Sequence, residues 1–137
     1  MIKQLAHANL VTHDLAAAEH FYCDILGLEK AFDFYRNDAL FGFYLKLDQL
    51  TFIEIFLQTD PVNTENLVIR HLCLQVEDLD GAIATIRERG WEITDKKRGS
   101  DQSWQSWITD PSGVRIELMQ YTDESSQYTG ADCIANW

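Results

Sequence analysis

Hydrophobic and polar positions follow the same order twice along the chain: a short alternating run, a longer run with helical spacing, then three more alternating runs. The first alternating run begins at His7 with the letters HANLV, and its counterpart begins at His71 with HLCLQV. Alternation of apolar and polar residues is typical of a strand with one buried face, and helical spacing is typical of an amphipathic helix. The repetition predicts two copies of one βαβββ unit.

Each helical run begins at an aspartate and ends at a glycine. Asp14 and Asp78 can accept hydrogen bonds from the free amides of the first helical turn, and Gly27 and Gly90 suit the left-handed residue that follows a helix. The apolar side chains between these limits form one stripe on each helix. They are Leu15, Ala18, Tyr22 and Ile25 on the first helix, and Leu79, Ala82, Ile83 and Ile86 on the second.

Three strand-like runs follow each helix, and they are rich in β-branched and aromatic residues. They cover residues 31–35, 41–47 and 51–57 in the first half, and residues 91–95, 103–109 and 114–121 in the second. The letters DPSG at residues 110–113 place proline second and glycine fourth, which favours a tight turn before the last strand. The predicted fold class is therefore α+β, with two βαβββ modules.

The modules are joined by a polar stretch and followed by a polar tail. The first module, the linker, the second module and the C-terminal tail cover residues 1–59, 60–69, 70–121 and 122–137. The linker contains the run DPVNTEN, whose proline and asparagines favour irregular structure. The tail lacks periodicity, so it is either loose or packed through Ile134 and Trp137.

The composition indicates a folded domain without a nucleic-acid or membrane partner. Hydrophobic residues make up 46% of the 137 residues, and the formal net charge is −11. An acidic protein is repelled by nucleic acid and by anionic lipid, and no apolar run approaches the roughly 20 residues of a membrane span. The first residues, MIKQLAHANL, lack the apolar core of a secretory signal, so we expect a cytoplasmic protein. Three cysteines without a CxxC pair favour reduced thiols.

A glutamate interrupts the apolar last strand of each half. Glu54 lies within FIEIF and shares a strand face with Phe52 and Phe56, while Glu117 holds the same place within RIELM. An unpaired carboxylate buried on such a face would cost several kcal/mol. Either the glutamates lie on exposed sheet faces, or a cation neutralises them.

The first strand of each half offers a nitrogen ligand for such a cation. His7 and His71 open these strands, and nearly the same number of residues separates each histidine from the glutamate of its half. A single strand histidine is usually structural, but the joint pattern favours a metal site, because imidazole and carboxylate suit Zn, Ni, Co, Mn or Fe(II). His13 and His20 lack this symmetry and are interpreted as surface or packing residues.

Five segments across residues 4–121 carry a resemblance to a known family: AHANLVTHDL, FYCDILGL, FIEIF, RHLCLQVEDL and DPSGVRIELMQ. They resemble the vicinal oxygen chelate superfamily, which includes glyoxalase I, bleomycin resistance proteins and extradiol dioxygenases. The resemblance implies paired βαβββ modules whose mixed sheet curls around one metal ion. It also implies the ligands His7, Glu54, His71 and Glu117, and this complete set is most similar to glyoxalase I, or lactoylglutathione lyase.

The resemblance implies a metal-dependent isomerase or lyase that acts on a small α-hydroxy-carbonyl or hemithioacetal substrate through a metal-bound enediolate. The expected cofactor is one divalent ion, Ni, Zn or Co, with Mn or Fe also compatible. Glu117 is the expected catalytic base, with Glu54 as the alternative by pseudo-symmetry. Two other functions stay open: an epimerase or isomerase of a sugar- or keto-acid-like substrate that uses no glutathione, and a non-catalytic small-molecule binding protein of the same fold.

The glutathione-binding residues of glyoxalase I are not matched. Val11 occupies a position where glyoxalase I commonly has an arginine, and KKRGSDQSWQSW stands in place of its Lys-Gly-Gly stretch. Lys96, Lys97 and Arg98 either bind the carboxylates of glutathione instead or are simply solvated. The sequence therefore favours glyoxalase-like chemistry more strongly than it favours glutathione as the co-substrate.

Four further side chains share a strand face with the expected ligands, because side chains alternate along a strand. These predicted substrate-binding residues are Asn9, Phe56, Cys73 and Met119. Core packing would explain each of them as well, and the same choice applies to Trp104 and Trp107. Members of the family often dimerise, so we expect a homodimer with a small-molecule substrate. The metal site is then either within one chain or shared between two.

Overall fold

The sequence repeat corresponds to two βαβββ units in the computed structural model, which describes residues 1–61 and 67–134. The chain divides into the units Met1–Glu65 and Asn66–Trp137. In each unit, a helix follows the first strand, and the first strand pairs in parallel with the last one. The α+β class with two modules is confirmed. Part of the predicted linker, residues 62–66, lies outside the described residues.

The first unit contains a four-stranded mixed sheet. Its strands are β1 (His7–Thr12), β2 (Glu29–Arg36), β3 (Ala39–Asp48) and β4 (Thr51–Leu57). They are arranged in the order β1-β4-β3-β2, with β1 parallel to β4 and the other pairs antiparallel. The three strands that were predicted after the first helix are confirmed, and two of them extend further than the sequence pattern indicated.

The first helix begins at the predicted aspartate cap. The Asp14 side chain accepts a hydrogen bond of 3.0 Å from a first-turn amide, and α1 (Leu15–Glu19) continues as a π-helical segment (His20–Ile25). A π-helical turn contains more residues than an α-helical turn, which changes the set of side chains on the buried face. Phe21 and Tyr22 are both fully buried, although Phe21 is absent from the stripe predicted for a regular helix.

The second unit repeats this arrangement with shorter strands. Its elements are β5 (Leu72–Gln75), α2 (Leu79–Glu88), β6 (Lys97–Arg98), β7 (Trp104–Thr109), β8 (Arg115–Gln120) and α3 (Ser126–Thr129). The sheet order is β5-β8-β7-β6, with β5 parallel to β8. Asp78 caps α2 as predicted, by accepting a hydrogen bond from the Gly81 amide. Gly90 follows the helix with a φ of 83°.

The strand predicted at residues 91–95 is wrong. Only Ile93 makes a bridge to β7 there, and the edge strand forms later, at β6. The reason is that side chains replace part of the main-chain ladder: the hydroxyl of Thr94 accepts a hydrogen bond from the Trp107 amide at 2.8 Å. A threonine that bonds to the neighbouring backbone competes with regular strand pairing.

Each sheet packs its helix against one face. On β4, Ile53 and Ile55 are buried and alternate with the residues on the face of Glu54, and α1 packs against this strand. On β8, Ile116 and Leu118 are buried and flank Glu117, and α2 packs against β7 and β8. The alternation therefore directs the proposed ligands to the sheet face opposite the helix.

The C-terminal tail packs through polar side chains. Ser125 is fully buried, and its hydroxyl lies 2.9 Å from that of the equally buried Ser103. Ile134 is 84% exposed, so the suggestion that the tail packs through it is wrong. Trp137 lies outside the described residues.

All three cysteines are free thiols, as the sequence predicted. No helix in the described part of the chain is long and apolar enough to cross a lipid bilayer.

Candidate functional site

The first unit brings His7 and Glu54 together on the face opposite its helix. Strands β1 and β4 are parallel neighbours, and Asn9 lies directly across from Glu54 in their register. The Nε2 atom of His7 is 3.8 Å from Oε2 of Glu54, whose side chain is 13% exposed. The carboxylate is thus largely buried, and it is paired rather than isolated.

Two neutral side chains also approach Glu54. Asn9 donates a hydrogen bond of 2.9 Å from Nδ2 to Oε2 of Glu54. This predicted substrate-binding residue therefore already has the carboxylate as its partner. Tyr44 lies across from Glu54 on β3, close to the same carboxylate. Burial and the negative charge of Glu54 raise the pKa of the Tyr44 hydroxyl.

Tyr44 was missed in the sequence analysis. Its hydroxyl lies 3.2 Å from Nδ1 of His7, so it contacts both proposed ligands of this unit. The sequence feature that could have identified Tyr44 is its place in β3, the strand that forms a hairpin with β4. Because hairpin register depends on the turn, the sequence pattern alone did not identify which β3 residue would lie across from Glu54.

Phe56 belongs to an aromatic cluster on the same sheet face as Glu54. Its ring stacks on Phe41 at a centroid distance of 4.9 Å and meets Phe34 edge-on at 5.1 Å. Phe32 stacks on Tyr44 at 4.7 Å. The proposed ligands of the first unit therefore lie beside a cluster of aromatic rings. Phe56, a predicted substrate-binding residue, packs against the other rings of this cluster.

The second unit pairs His71 with Glu117 in the same way. The Nε2 atom of His71 is 3.3 Å from Oε2 of Glu117, whose side chain is 9% exposed. Burial raises the pKa of Glu117, and this effect outweighs the opposing influences of His71 and of a hydrogen bond from Cys73. Each half thus presents one imidazole and one largely buried carboxylate at equivalent positions.

Cys73 occupies the position that corresponds to Asn9. It lies across from Glu117 in the register of β5 and β8. Desolvation and the neighbouring charge of Glu117 raise the pKa of the Cys73 thiol to about 12. Only the thiolate is a good nucleophile, so this raised pKa disfavours a nucleophilic role for Cys73.

Trp107 corresponds to Tyr44, because each lies across from the glutamate of its unit. The Trp107 ring meets His71 edge-on at a centroid distance of 5.0 Å. Its indole nitrogen donates a hydrogen bond to Gln105 at 3.0 Å. Met119 lies across from Gln105 and is partly exposed, so it remains available to a ligand.

Two of the three basic residues that were candidates for binding glutathione, Lys96 and Arg98, already have partners. Lys96 forms a 2.6 Å ion pair with Asp80, and Arg98 forms an ion pair with Glu124. Both cations also lie over the ring of Trp104. Exposed pairs of this kind contribute little to stability, but they reduce the free positive charge available to a substrate carboxylate.

His13 and His20 have structural partners outside the candidate site, as predicted. Nδ1 of His13 hydrogen-bonds the main-chain carbonyl of Gln58 at 2.7 Å. Nδ1 of His20 pairs with Asp24 at 2.8 Å on the exposed helix surface. Neither histidine belongs to the repeated His–Glu arrangement.

The donor atoms of each unit fit a divalent ion. Metal–nitrogen and metal–oxygen bonds are each about 2.0–2.2 Å long, so one ion can contact two donors separated by up to about 4 Å. Both nitrogen–oxygen separations, 3.8 Å and 3.3 Å, meet this condition. Within the described residues, no cluster of three or more His, Cys, Asp or Glu side chains is placed to hold a metal. The complete four-ligand site therefore stays a prediction.

Comparison with known sequences identifies related proteins. A family profile of the Glyoxalase/Bleomycin resistance protein/Dioxygenase superfamily matches residues 4–118. The chain is 30% identical over 126 residues to the uncharacterized protein YaeR of Escherichia coli (strain K12), covering 87% of this chain and 97% of YaeR. It is 29% identical to a probable lactoylglutathione lyase of Synechocystis sp. (strain ATCC 27184 / PCC 6803 / Kazusa), covering 85% and 94% of the two chains.

A solved structure has the same fold. The glyoxalase family protein from Enterococcus faecalis superimposes with a TM-score of 0.74 at 26% sequence identity. The match covers 85% of this chain and 97% of that protein.

Proposed function

The chain belongs to the glyoxalase/bleomycin resistance protein/dioxygenase superfamily, and we propose that it is a metal-dependent isomerase or lyase of the glyoxalase I type. The observation that carries this proposal is the repeated His–Glu pair. His7 with Glu54 and His71 with Glu117 occupy equivalent strands and have similar nitrogen–oxygen separations. A protein that only binds an organic ligand has no need for two such pairs.

The proposed cofactor is one divalent ion, Ni, Zn or Co, with Mn or Fe also compatible. His7 and Glu54 from one module would hold it with His71 and Glu117 from the other, within one chain or between two chains of a homodimer. When bound, such an ion polarises a substrate carbonyl and makes the proton on the adjacent carbon more acidic. The remaining chemistry falls to the side chains of this protein.

We assign the catalytic base to Glu117 and a fixed ligand role to Glu54. Asn9 donates a hydrogen bond to Glu54, which restrains its carboxylate. Cys73 takes the place of Asn9 across from Glu117, and a thiol is a weak donor, so this carboxylate is freer to move. Glu117 would remove the proton from the carbon next to the carbonyl and return it to the neighbouring carbon.

The substrate is proposed to be a small molecule with adjacent oxygens, such as an α-hydroxy-carbonyl compound or a hemithioacetal. Asn9 bonds to Glu54 and Cys73 lies across from Glu117. Phe56 and Met119 are therefore the apolar contacts among the four predicted substrate-binding residues. Lys96 and Arg98 are already in ion pairs, so their charges are less available to bind a strongly anionic co-substrate. A sugar- or keto-acid-like substrate without glutathione is therefore the second candidate.

The first experiment is the isomerisation of the methylglyoxal–glutathione hemithioacetal by metal-free protein reloaded separately with nickel, cobalt and zinc. Metal content is measured on the same samples. We expect turnover that falls by about 100-fold or more in Glu117→Gln, which is the usual contribution of a general base. The exposed Glu88 provides the matched control, because Glu88→Gln removes the same charge at the end of α2.

Three outcomes distinguish the alternatives. Turnover that is lost in Glu117→Gln but kept in Glu88→Gln supports a glyoxalase I. Stoichiometric metal without turnover rejects this substrate and directs the search to sugar- and keto-acid-like compounds. Protein that binds no divalent ion contradicts the proposed enzyme and favours a small-molecule binding protein.

A further inference from the structure

Arg115 brings a positive charge to the sheet face that carries Glu117. One residue separates the two along β8, and alternation along a strand therefore places both side chains on the same face. Glu117 is largely buried on this face, whereas Arg115 is exposed. The second unit thus presents a solvent-accessible cation on the face of one proposed ligand.

An aromatic ring holds the guanidinium group on this face. The Cζ atom of Arg115 is 4.5 Å from the centroid of the Trp107 ring, and Trp107 lies across from Glu117 in the register of β7 and β8. The same ring meets His71 edge-on at a centroid distance of 5.0 Å. Trp107 therefore contacts both the guanidinium group and one imidazole of the proposed ligand set.

Arg115 differs from the basic residues Lys96 and Arg98 because it has no carboxylate partner. Lys96 pairs with Asp80, and Arg98 pairs with Glu124. Within the part of the chain that the structure describes, no acidic side chain forms an ion pair with Arg115. Stacking on a ring uses none of the N–H donors of a guanidinium group, so these donors are available to an anion.

The first unit has no charge at the equivalent position. Phe52 precedes Glu54 by two residues, as Arg115 precedes Glu117. The Phe52 ring packs beside Tyr44 at a centroid distance of 5.4 Å. The βαβββ unit therefore forms with an apolar residue at this position, so the charge of Arg115 is not a requirement of the fold.

We propose that Arg115 is a specificity-determining residue that binds the carboxylate of a small α-keto or α-hydroxy acid substrate. This inference rests on the proposed function of the same site, and within it selects the keto-acid-like substrate. Guanidinium and carboxylate groups form two parallel charge-assisted hydrogen bonds. A substrate held in this way keeps its carbonyl and hydroxyl oxygens free for the chemistry assigned to Glu117.

A carboxylate fits this environment better than a phosphate group. Phosphate sites commonly use the free amides of a helix N-terminus, but α2 packs against the opposite face of this sheet. The nearby carboxylate of Glu117 and the formal net charge of −11 also disfavour a dianion more than a monoanion. One bidentate cation is sufficient for a carboxylate.

Two probes that differ in one group test the proposal. Hydroxypyruvate and dihydroxyacetone share an α-hydroxy-carbonyl group, but the first has a carboxylate where the second has a hydroxymethyl group. Calorimetry measures both dissociation constants for metal-free and zinc-loaded protein at about pH 7.5, where the carboxylate is ionised. We expect the wild type to bind hydroxypyruvate at least about 10-fold more tightly, which is typical of a hydrogen bond to a charged group.

Arg115→Gln should abolish this preference, because it removes the charge and the forked donor. Arg115→Lys should retain part of it, since an ammonium group supplies the charge without the planar fork. The matched control is Arg36→Gln. Arg36 is also exposed and lies 3.6 Å from the centroid of the Phe41 ring in the first unit, so this variant has the same change in charge and should keep the full preference.

A wild type without the preference, or Arg115→Gln with the wild-type preference, would overturn the proposal. S-methylglutathione and dihydroxyacetone phosphate test other sources of negative charge. Binding of either that depends on Arg115, without such binding of hydroxypyruvate, would reject a small keto or hydroxy acid.

Isomerisation of both probes by the zinc-loaded samples reports separately on the proposed function. Binding that depends on Arg115 but gives no turnover would retain the carboxylate site and reject the enzyme. Turnover that is equal in the wild type and Arg115→Gln would retain the enzyme and reject the role of Arg115.

Discussion

Gly42 lies directly across from Phe56, and the Phe56 ring covers the space where a side chain at position 42 would be. A Cβ atom added to Gly42 would come within 2.3 Å of the Ile55 carbonyl oxygen and 2.4 Å of the Phe56 ring. The glycine therefore allows the aromatic ring to lie flat over β3, between Phe34 and Phe41. Cross-strand pairs of an aromatic residue and a glycine stabilise sheets in this manner.

Gly42→Ala should destabilise the protein by about 1–3 kcal/mol, because overpacking forces side chains and backbone to shift. Urea unfolding measures the change. Repeating the substitution in a Phe56→Leu background tests the cause, since the smaller side chain leaves the carbonyl contact but removes the ring contact. An alanine that costs nothing in either background would contradict the close approach of Phe56.

Asn9 and Glu54 should be energetically coupled. Asn9→Ala leaves the largely buried carboxylate of Glu54 without its 2.9 Å donor, and losing a hydrogen bond to a charged group costs about 1.5–3 kcal/mol. The cost should be much smaller in a Glu54→Ala background, where no carboxylate remains. A double-mutant cycle in metal-free protein measures the coupling, and additive effects would argue against the bond.

Divalent metal should raise the stability of the folded protein, and chelation should reverse this effect. A ligand that binds only the folded state contributes about 2.7 kcal/mol at 100 times its dissociation constant. Thermal unfolding with nickel, cobalt or zinc should therefore show a higher Tm. His7→Gln and His71→Gln should each reduce the increase, because the proposed site uses both modules.

His20→Gln is the control for these variants, since His20 pairs with Asp24 away from the candidate ligands. It should retain the full metal-dependent increase in Tm. If only one of His7→Gln and His71→Gln affected the increase, the metal would be bound by one module and the four-ligand arrangement would be incorrect.

Asp101 should contribute to stability at neutral pH and lose that contribution in acid. Burial alone would raise its pKa, but hydrogen bonds from Gln127 and Ser103 outweigh this effect and lower it. The folded state therefore favours the ionised form, so the contribution is present above the unfolded pKa of about 3.9 and disappears as the pH falls through the lowered folded value.

Asp101→Asn tests this assignment. The variant loses either Oδ2, which accepts from both the Ser103 hydroxyl and the Gln127 amide, or Oδ1, which accepts from the Ser103 main-chain amide. We expect a cost of about 1 kcal/mol at neutral pH. The difference from wild type should shrink below about pH 4, where the unfolded wild-type carboxyl also protonates. A difference that is constant with pH would show that the Asp101 charge is irrelevant.

The alternation of residues determined much of the fold because strand and helix periods are local properties. Asp14 and Asp78 cap helices as predicted, and the alternation in FIEIF and RIELM directs the two glutamates away from the helices. The pairing of His7 with Glu54 and of His71 with Glu117 followed from their equal placement in the repeat. The helix caps and the strand faces depend on residue type and spacing alone.

Other features depended on contacts between segments that are distant in sequence. The π-helical segment that buries Phe21, and the hydrogen bond that displaces the edge strand at Thr94, arise from packing against neighbouring elements. The position of Tyr44 beside His7 and Glu54 depends on strand register. Register is set by the turn and by the whole buried face, so the sequence determined the proposed ligands, whereas the tertiary structure determined the side chains that support them.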